Sequence, residues 1–371
     1  MSSSFKTAVP VAKDVTQILF EQQKPQVEGS WRRWLLARRP VGPAVRADFQ
    51  FVEDMIPAPP PGKYLARVIW LSMDPKQRLL MNATPRNTEQ VPLYGAMFGN
   101  TVAEVLVSNH PDFRPGDIVQ EFLGWQSHGL SDGRGHYVNN PYGTRKVKLE
   151  HGPISTAIGV LGNGGLTAYF SVLNDLKPRA GETMLVSTAA GNVGSIAGQI
   201  GKILGCRVIG LTSTDEKCRV VVDELGYDAC INYRSATDLA AAIRREAPNG
   251  VDMFYDNVGG RIAETAAGLL NPGARVSIIG YTEQYSSTAG GKPWTWPGHL
   301  SLTQFIIHDY HREFDAGITQ LAAWIKDGKL RYREDVVDGL EKAPDAMIDM
   351  LAGGNIGKRI VRVGPNPPGI A

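Results

Sequence analysis

Residues Gly181–Gly205 read GETMLVSTAAGNVGSIAGQIGKILG, and this segment decides the fold class. Its first part contains TMLVS, a short apolar run of the kind that forms a buried strand. The sequence Ala189–Gly194 follows, with the spacing G-x-G-x-x-G and alanine in the first position. This spacing supplies a tight turn, a position without a side chain, and a small residue where a helix contacts a strand. We therefore predict a strand that ends near Ser187, a glycine turn, and a helix that starts near Val193.

The residues after the glycines have the periodicity of a helix buried on one face. Apolar side chains recur at the i, i+3, i+4, i+7 spacing, namely Val193, Ile196, Ala197, Ile200, Ile203 and Leu204. Gly205 then supplies a C-terminal stop. Backbone N–H groups at a helix N-terminus bind anions, so the turn suits the pyrophosphate of a dinucleotide. A plain glycine turn is the alternative.

The chain changes character near residue 155. From about Trp31 to Val147, short apolar runs are separated by Pro and Gly, as expected for antiparallel strands. After that, strand-like runs alternate with helical stretches, which favours a parallel sheet with crossover helices. The tail GKRIVRV is again strand-like. We predict an α/β protein with a doubly wound domain (156–325) inserted in a β-rich domain formed by both chain ends (26–155 and 326–371), and a flexible N-terminal extension (1–25).

Composition and charge are those of an ordinary globular protein. The 371 residues carry 39 basic and 37 acidic side chains, and this net charge of +2 is too small for a typical nucleic-acid or membrane-surface binder. The first twenty residues lack the pattern of a signal peptide, and three cysteines are typical of a reducing compartment. We expect a cytoplasmic protein that binds neither nucleic acid nor membrane.

The end of the second strand of the doubly wound domain indicates which dinucleotide binds. An acidic residue at this place would bond the ribose hydroxyls of NAD. The chain instead has Gly210–Thr214, GLTST, without a carboxylate, and Lys217 follows in the first turn of the next helix. Hydroxyls and a lysine suit a 2′-phosphate, which favours NADPH. The alternative is a solvated helical turn in which Lys217 contacts only water.

The sequence lacks the ligand pattern of metal-dependent dehydrogenases. Cys206, Cys218 and Cys230 lie in the nucleotide-binding half without a histidine close in sequence, and we interpret them as structural. His308 and His311 have the i, i+3 spacing but no third ligand nearby, so we expect a solvated or capping role. We predict no metal site. Hydride transfer would then rely on hydrogen bonds to a developing oxyanion, and an activated C=C bond suits that restriction.

From about Trp31 to Val363 the chain resembles a group of zinc-independent medium-chain reductases. The group comprises the leukotriene hydroxydehydrogenases or prostaglandin reductases, the plant alkenal double-bond reductases and the bacterial curcumin reductases. The matching segments are RRPVGPAVRADF, LSMDPKQR, LGNGGLTAYF, AAGNVGS, YDNVGG, KLRYREDVVDGLEKAPDAM and GGNIGK. The resemblance implies a Rossmann-like domain inserted in a GroES-like domain, NADPH as the cofactor, and a homodimer.

The resemblance also implies which residues bind NADPH. The pyrophosphate would lie on Ala190, Gly191, Asn192, Val193 and Gly194, and the 2′-phosphate on Lys217 and Tyr233. The rest of the cofactor would contact Asn257, Ile279, Gly280, Tyr281, Tyr285, Phe305, Ile306, Ile307 and Asn355. Taken singly, each has another interpretation: Asn257 as a helix cap, Phe305–Ile307 as a core strand, and Asn355 as a turn residue after a helix. Their joint occurrence favours the cofactor.

Tyr285 is the catalytic candidate that the resemblance implies. Its hydroxyl would bond the substrate's carbonyl oxygen, or the cofactor ribose beside it, as hydride reaches the β-carbon. An ordinary loop tyrosine is the alternative. The segment that carries Trp294 and Trp296 is an aromatic wall of the substrate pocket or a packed loop.

The expected substrate pocket departs from the pattern of the group. Lys76 stands where relatives commonly have an aromatic residue, His128 replaces an aromatic after GWQ, and Asn163 begins NGG where Met-Pro is usual. We place these three residues, with Trp125 and Trp294, in the pocket. Lys76 would meet a carboxylate or phenolate of the substrate, or stay solvated.

The predicted function is NADPH-dependent reduction of the activated C=C bond of an α,β-unsaturated ketone or aldehyde, without a metal. The substrate would be a small-molecule enone, enal or quinone. One alternative is a quinone or carbonyl reductase, and another is a non-enzymatic NADPH-binding protein.

Overall fold

The first part of the chain forms mainly antiparallel strands. The computed structural model describes residues 27–83, 90–134, 143–285 and 296–370. In this part the elements are β1 (Ser30–Leu36), β2 (Phe49–Met55), β3 (Tyr64–Ser72), α1 (Lys76–Leu80), β4 (Thr101–Ser108), β5 (Ile118–Glu121), β6 (His128–Ser131) and β7 (Arg145–Lys146). The short antiparallel strands predicted for this part of the chain are therefore present. Nearly every residue of β3 is buried, because its side chains pack into separate apolar clusters that other elements complete.

The middle of the chain alternates between strands and helices, as predicted. Its elements are α2 (Asn163–Ser171), β8 (Thr183–Ser187), α3 (Asn192–Ile203), β9 (Arg207–Thr212), α4 (Asp215–Arg219), β10 (Ala229–Asn232), α5 (Leu239–Glu246), β11 (Val251–Asp256), α6 (Gly260–Ala267), β12 (Leu270–Ile278), β13 (Ser301–Gln304) and α7 (Phe314–Lys326). The helix predicted from the apolar periodicity is α3. It ends before Gly205, whose φ of +83° lies in the left-handed region that glycine adopts readily.

The C-terminal part contains β14 (Glu334–Asp338), α8 (Ala343–Leu351) and β15 (Lys358–Arg362). Both strands join the sheet that contains β3. The described strands form three sheets. One pairs β1 with β2, and a second has six parallel strands in the order β10-β9-β8-β11-β12-β13. The third has seven strands, with β14-β15-β3-β4-β5-β7 in order and β6 paired with β3. The prediction of a doubly wound parallel sheet inserted in a β-rich fold built from both chain ends is confirmed.

The order of the parallel strands fixes where a ligand can bind. Carboxyl ends of parallel strands meet at one edge of a sheet, and ligands bind outside that edge. The turn after β8 lies at the centre, the segments after β9 and β10 lie on one side, and those after β11 and β12 lie on the other. Within the described residues, no helix is long and apolar enough to span a bilayer.

Candidate active site

A cleft of about 660 Å³ lies at this edge of the parallel sheet. Two segments of the β-rich part also line it. Residues 73–76 lead into α1, and residues 350–359 run from the end of α8 into β15. The charged side chains on its walls are mostly basic: Lys76, Lys217, Arg234, Arg261, Lys358 and Arg359, against Asp74 and Glu283. This excess of positive charge suits a polyanionic ligand.

Most of the residues expected to bind a dinucleotide line this cleft. They are Ala190, Gly191, Asn192, Val193, Gly194, Lys217, Tyr233, Asn257, Ile279, Gly280, Tyr285 and Asn355. Lys76, expected in the substrate pocket, is also there. The fold thus brings together residues from Lys76 to Asn355 that are far apart in the chain.

The glycine turn is built for close backbone approach. Thr188, at the end of β8, has a positive φ of +54° and turns the chain toward α3. A Cβ on Gly194 would lie 2.4 Å from the carbonyl oxygen of Thr188, so a side chain cannot be added without moving the backbone. Gly191 is the N-cap of α3. The turn therefore presents backbone N–H groups to the cleft at the N-terminus of a twelve-residue helix, as a pyrophosphate requires.

A basic pocket follows β9 and β10. The Thr214 hydroxyl caps α4 by accepting a hydrogen bond from the Lys217 N–H at 3.2 Å. The Lys217 ammonium donates to the carbonyl oxygen of Gly353 at 2.7 Å, which holds it against the cleft wall. Burial and the nearby Arg234 guanidinium lower the pKa of Lys217. Two cations share this pocket, together with the Ser213 and Tyr233 side chains. This arrangement suits a phosphate group.

Arg234 was missed by the sequence reasoning, although it follows Tyr233 directly. The position that a Cβ would occupy on Gly353 is 3.9 Å from the Lys217 Nζ and 4.0 Å from the Arg234 Nη2. Both cations therefore converge on one backbone position. The sequence signal that could have identified Arg234 is its position just after β10, the third strand of the parallel sheet in chain order.

The turn after β11 is held by buried hydrogen bonds. The Asn257 amide donates to the carbonyl oxygen of Ser187 at 2.7 Å, and the Asn257 N–H donates to the Ser187 hydroxyl at 2.8 Å. The fully buried Asp256 carboxylate accepts from the N–H groups of Val258 and Gly259, both at 3.0 Å. These bonds lock the loops after β8 and β11 to each other and present Asn257 at the cleft.

Tyr285 lies on the other side of the glycine turn, after β12. A Cβ placed on Gly280 would be 2.9 Å from the Tyr285 hydroxyl oxygen, so the ring packs directly on the Gly280 backbone. Burial raises the pKa of Tyr285, which keeps the hydroxyl protonated and able to donate a hydrogen bond. Its place in the sheet order puts it across the central turn from Lys217.

The C-terminal segment clamps the other wall of the cleft. The buried Lys358 ammonium donates to the carbonyl oxygen of Met73 and to the Asp74 carboxylate, both at 2.7 Å. The Asn355 amide donates to the carbonyl oxygen of Gly357 at 2.7 Å. Sequence reasoning missed Lys358, because its partners are almost three hundred residues away. It fixes the segment that presents Lys76 to the cleft.

Lys76, at the start of α1, lines the cleft. Burial lowers the pKa of Lys76, and the nearby Asp74 carboxylate opposes that shift. Lys76 in turn contributes to the lowering of the His308 pKa, for which burial is the larger cause.

Among the described residues, no group of three or more His, Cys, Asp or Glu side chains could hold a metal ion. The His311 Nδ1–H donates a hydrogen bond to the His308 carbonyl oxygen at 3.0 Å.

Two residues expected in the substrate pocket lie elsewhere. Trp125 is wrong as a pocket residue, because its ring is fully buried and stacks on Phe49 with centroids 5.4 Å apart. His128 does not line the cleft either. It lies on β6 beside Arg67, and its ring is 3.0 Å from the Ser127 hydroxyl.

Other expected residues border the cleft without lining it. Asn163 begins α2, and the adjacent Gly164 packs against Asn192 of the glycine turn. Tyr281 bonds the Gln304 amide oxygen at 2.9 Å. Phe305, Ile306 and Ile307 follow β13, and Phe305 is buried against Tyr310. Trp294 lies outside the described residues.

Comparison with known proteins agrees with this architecture. Residues 32–138 match the family described as the N-terminal domain of oxidoreductase, and residues 192–323 match the family described as zinc-binding dehydrogenase. NADPH-dependent curcumin reductase of Escherichia coli K12 is 38% identical over 347 residues, covering 90% of this chain and 96% of that protein. Prostaglandin reductase 1 of Rattus norvegicus is 35% identical over 340 residues, covering 89% and 98%.

Solved structures give the same result. The crystal structure of CurA from Vibrio vulnificus in complex with NADPH has a TM-score of 0.82 and 36% sequence identity, and the match covers 90% of this chain and all of that one. The glycine turn, the basic pocket after β9 and β10, and Tyr285 after β12 thus occur on a shared fold. The chain belongs to the medium-chain dehydrogenase/reductase family, in the group that contains the curcumin and prostaglandin reductases.

Proposed function

We propose that this protein uses NADPH to reduce the activated C=C bond of an α,β-unsaturated ketone or aldehyde. One observation carries the proposal: a single cleft holds a glycine turn at its centre, two cations on one side and the half-buried Tyr285 on the other. Relatives named for NADPH-dependent curcumin reduction and for prostaglandin reduction support it. The protein is accordingly an oxidoreductase that acts on C=C bonds.

The residues of the cleft fit NADPH. The glycine turn would hold the pyrophosphate, because it lines the cleft at the N-terminus of α3 and a Cβ at Gly194 has no room. Lys217 and Arg234 would hold the 2′-phosphate, with Tyr233 beside them. Asn257, Ile279 and Gly280 would contact the nicotinamide half, since they follow β11 and β12 on the other side of the turn.

Tyr285 would stabilise the reacting carbonyl group. When bound, NADPH supplies the hydride that reaches the β-carbon of the acceptor. Negative charge then develops on the acceptor's carbonyl oxygen, and the protonated Tyr285 hydroxyl donates a hydrogen bond to it. Because burial keeps this hydroxyl protonated, the donor is in place before charge develops. The α-carbon completes the reaction by taking up a proton.

Lys76 would select the acceptor. Its side chain lines the cleft, and the segment that carries it is fixed by Lys358. A partly buried ammonium gains from an anionic partner, so we propose acceptors with a carboxylate or phenolate beside the enone. Replacing Lys76 with methionine should lower kcat/KM for such acceptors and leave neutral enones unaffected.

The quaternary structure and location are part of the same proposal. We propose a homodimer in the cytoplasm, with domains at 26–155 plus 326–371 and 156–325, and with residues 1–25 as an extension. The edge strand β13 supports association, because Leu302 on this strand and Ile306 just after it are 41% and 50% exposed. Light scattering on the purified protein gives the mass of the assembly directly, and a monomeric mass would contradict the dimer.

The test is turnover of an acceptor panel with NADPH. Purified protein should consume NADPH with enones and enals, and mass spectrometry should find the saturated ketone or aldehyde. Alcohol or hydroquinone as the sole product would favour a carbonyl or quinone reductase. Tight NADPH binding without turnover of any acceptor would favour a non-enzymatic binding protein. Elemental analysis of active protein should find no stoichiometric zinc.

A further inference from the structure

Two of the three cysteines meet beneath the basic pocket. Cys218 lies on α4 and Cys230 on β10, and both side chains are half-buried. The Thr212 hydroxyl oxygen is 3.0 Å from the Cys218 sulfur and 3.6 Å from the Cys230 sulfur. Twelve residues separate the two cysteines in sequence, yet both sulfur atoms contact the same hydroxyl. They therefore form a thiol pair, which the sequence did not reveal.

The third cysteine has a different environment. Cys206 is 2% exposed, and burial raises the pKa of its thiol to about 11. Hydrogen bonding to the Cys230 thiol, the largest cause, lowers the pKa of Cys218. Thiolate is the nucleophilic form of cysteine. The pair is thus the candidate for reaction, and the buried Cys206 is a matched control in the same chain.

The pair is joined to the cofactor pocket by short connections. Lys217, whose ammonium faces the cleft, directly precedes Cys218. Thr212 lines the cleft, and its hydroxyl donates to the Thr214 carbonyl oxygen at 3.2 Å. The Asn232 amide on β10 donates to the Asp215 carboxylate on α4 at 2.8 Å. The two cysteines thus belong to elements that also carry groups of the pocket.

We propose that Cys218 and Cys230 are a site of reversible oxidation to a disulfide by peroxide, and that the disulfide weakens NADPH binding. A disulfide has an S–S distance of about 2 Å, shorter than a contact between two thiols, and in this proposal its formation draws α4 and β10 together beside Thr212. That approach displaces the Thr212 hydroxyl and shifts Lys217 from the cleft wall. The consequence concerns cofactor binding alone and does not depend on which acceptor is reduced.

The chemistry balances in two steps. The Cys218 thiolate attacks hydrogen peroxide, the O–O bond breaks, and the products are a sulfenic acid and, after protonation, water. The Cys230 sulfur then attacks the Cys218 sulfur, an S–S bond forms, the S–O bond breaks, and the hydroxide leaves as water with the Cys230 proton. The two thiols lose two electrons in total, and the peroxide gains them. A dithiol reductant reverses the change.

The experiment treats the purified full-length protein with hydrogen peroxide and counts thiols after denaturation. We expect three thiols to fall to one, a loss of two mass units, and a disulfide between the peptides of Cys218 and Cys230. Excess dithiothreitol should restore all three thiols. NADPH bound beforehand should slow the oxidation. Cys218→Ser and Cys230→Ser should each prevent the intramolecular disulfide, whereas Cys206→Ser should leave it unchanged.

Binding is measured separately, by fluorescence titration of the oxidised and reduced protein with NADPH. We expect oxidation to raise the Kd about tenfold or more, equivalent to about 1.4 kcal/mol. The oxidised Cys218→Ser protein should keep the affinity of its reduced form, which excludes damage elsewhere. Three retained thiols, a stable sulfinic acid at Cys218, or a disulfide without loss of affinity would each overturn the proposal. Failure of all enone turnover would leave these readouts intact, so the two proposals fail separately.

Discussion

Replacing Lys217 with alanine tests the assignment of the basic pocket most directly. The Lys217 ammonium is buried in the pocket wall, and one of its three N–H bonds is used by the Gly353 carbonyl oxygen at 2.7 Å. The other two remain for a phosphate. A charge-assisted hydrogen bond contributes about 1.5 to 3 kcal/mol, so its loss should raise the Kd for NADPH about 10- to 150-fold. Arg234 stays in place, and binding should therefore be weakened and not abolished.

The assay is a fluorescence titration of each variant with NADPH and with NADH. NADH lacks the 2′-phosphate, so its Kd should change less than about threefold, a free-energy change under about 0.7 kcal/mol. Lys326→Ala, at an exposed lysine near the end of α7, is the matched control and should change neither Kd. Equal losses for NADPH and NADH in the Lys217→Ala protein would refute the phosphate contact. So would an unchanged Kd for NADPH.

Three further predictions concern the catalytic group, the glycine turn and acid stability. Tyr285→Phe should lower kcat with enones by about 10²- to 10³-fold with little change in the Kd for NADPH, because only an oxyanion donor is lost; an unchanged kcat would remove Tyr285 from the reaction. Gly194→Ala should weaken NADPH and NADH alike in the same titration, since the added Cβ lies 2.4 Å from a backbone oxygen. A loss of affinity for NADPH alone would contradict that reasoning. The pKa of His128 is lowered to about 4, mainly by burial and then by the nearby guanidinium groups of Arg67 and Arg32. The imidazole of His128 therefore takes up a proton more readily in the unfolded chain than in the folded protein. The free energy of unfolding should then fall as pH drops from about 6.5 toward 4, by about 1 to 2 kcal/mol after solvent screening. Urea unfolding at both pH values measures this change in the free energy of unfolding. The His128→Gln protein should lose less stability between the two pH values than the original protein.

Local features of the site could be predicted because their causes are local. The turn, the helix that follows it and the cap at Thr214 depend on backbone sterics and on hydrogen bonds within a few residues. Lys217 could be selected for the same reason, since its place in the first turn of α4 follows from the strand before it. The alternation of strands and helices then predicted the sheet, and through the sheet the edge at which a ligand binds.

Side-chain direction could not be predicted in the β-rich part. The resemblance to the reductase group placed Trp125 and His128 in the pocket, but the direction of each side chain depends on the fold, and in a strand such as β6 successive side chains point to opposite faces. Which face meets the cleft depends on the register of pairing, and β6 pairs with β3 beside Arg67. Trp125 lies in the connection between β5 and β6, outside both strands, and the packing of the whole chain stacks it on Phe49 in the core.

By itself, the sequence determined the doubly wound architecture, the glycine turn and a preference for a phosphorylated dinucleotide, because each follows from short-range periodicity, backbone sterics and charge. Only the tertiary structure decided that Lys358 holds Asp74, that Arg234 joins Lys217, and that Cys218 meets Cys230. These contacts depend on strand order and register, which bring distant segments to one sheet edge. Any single segment is compatible with many such partners, and the packing of the whole chain selects one set.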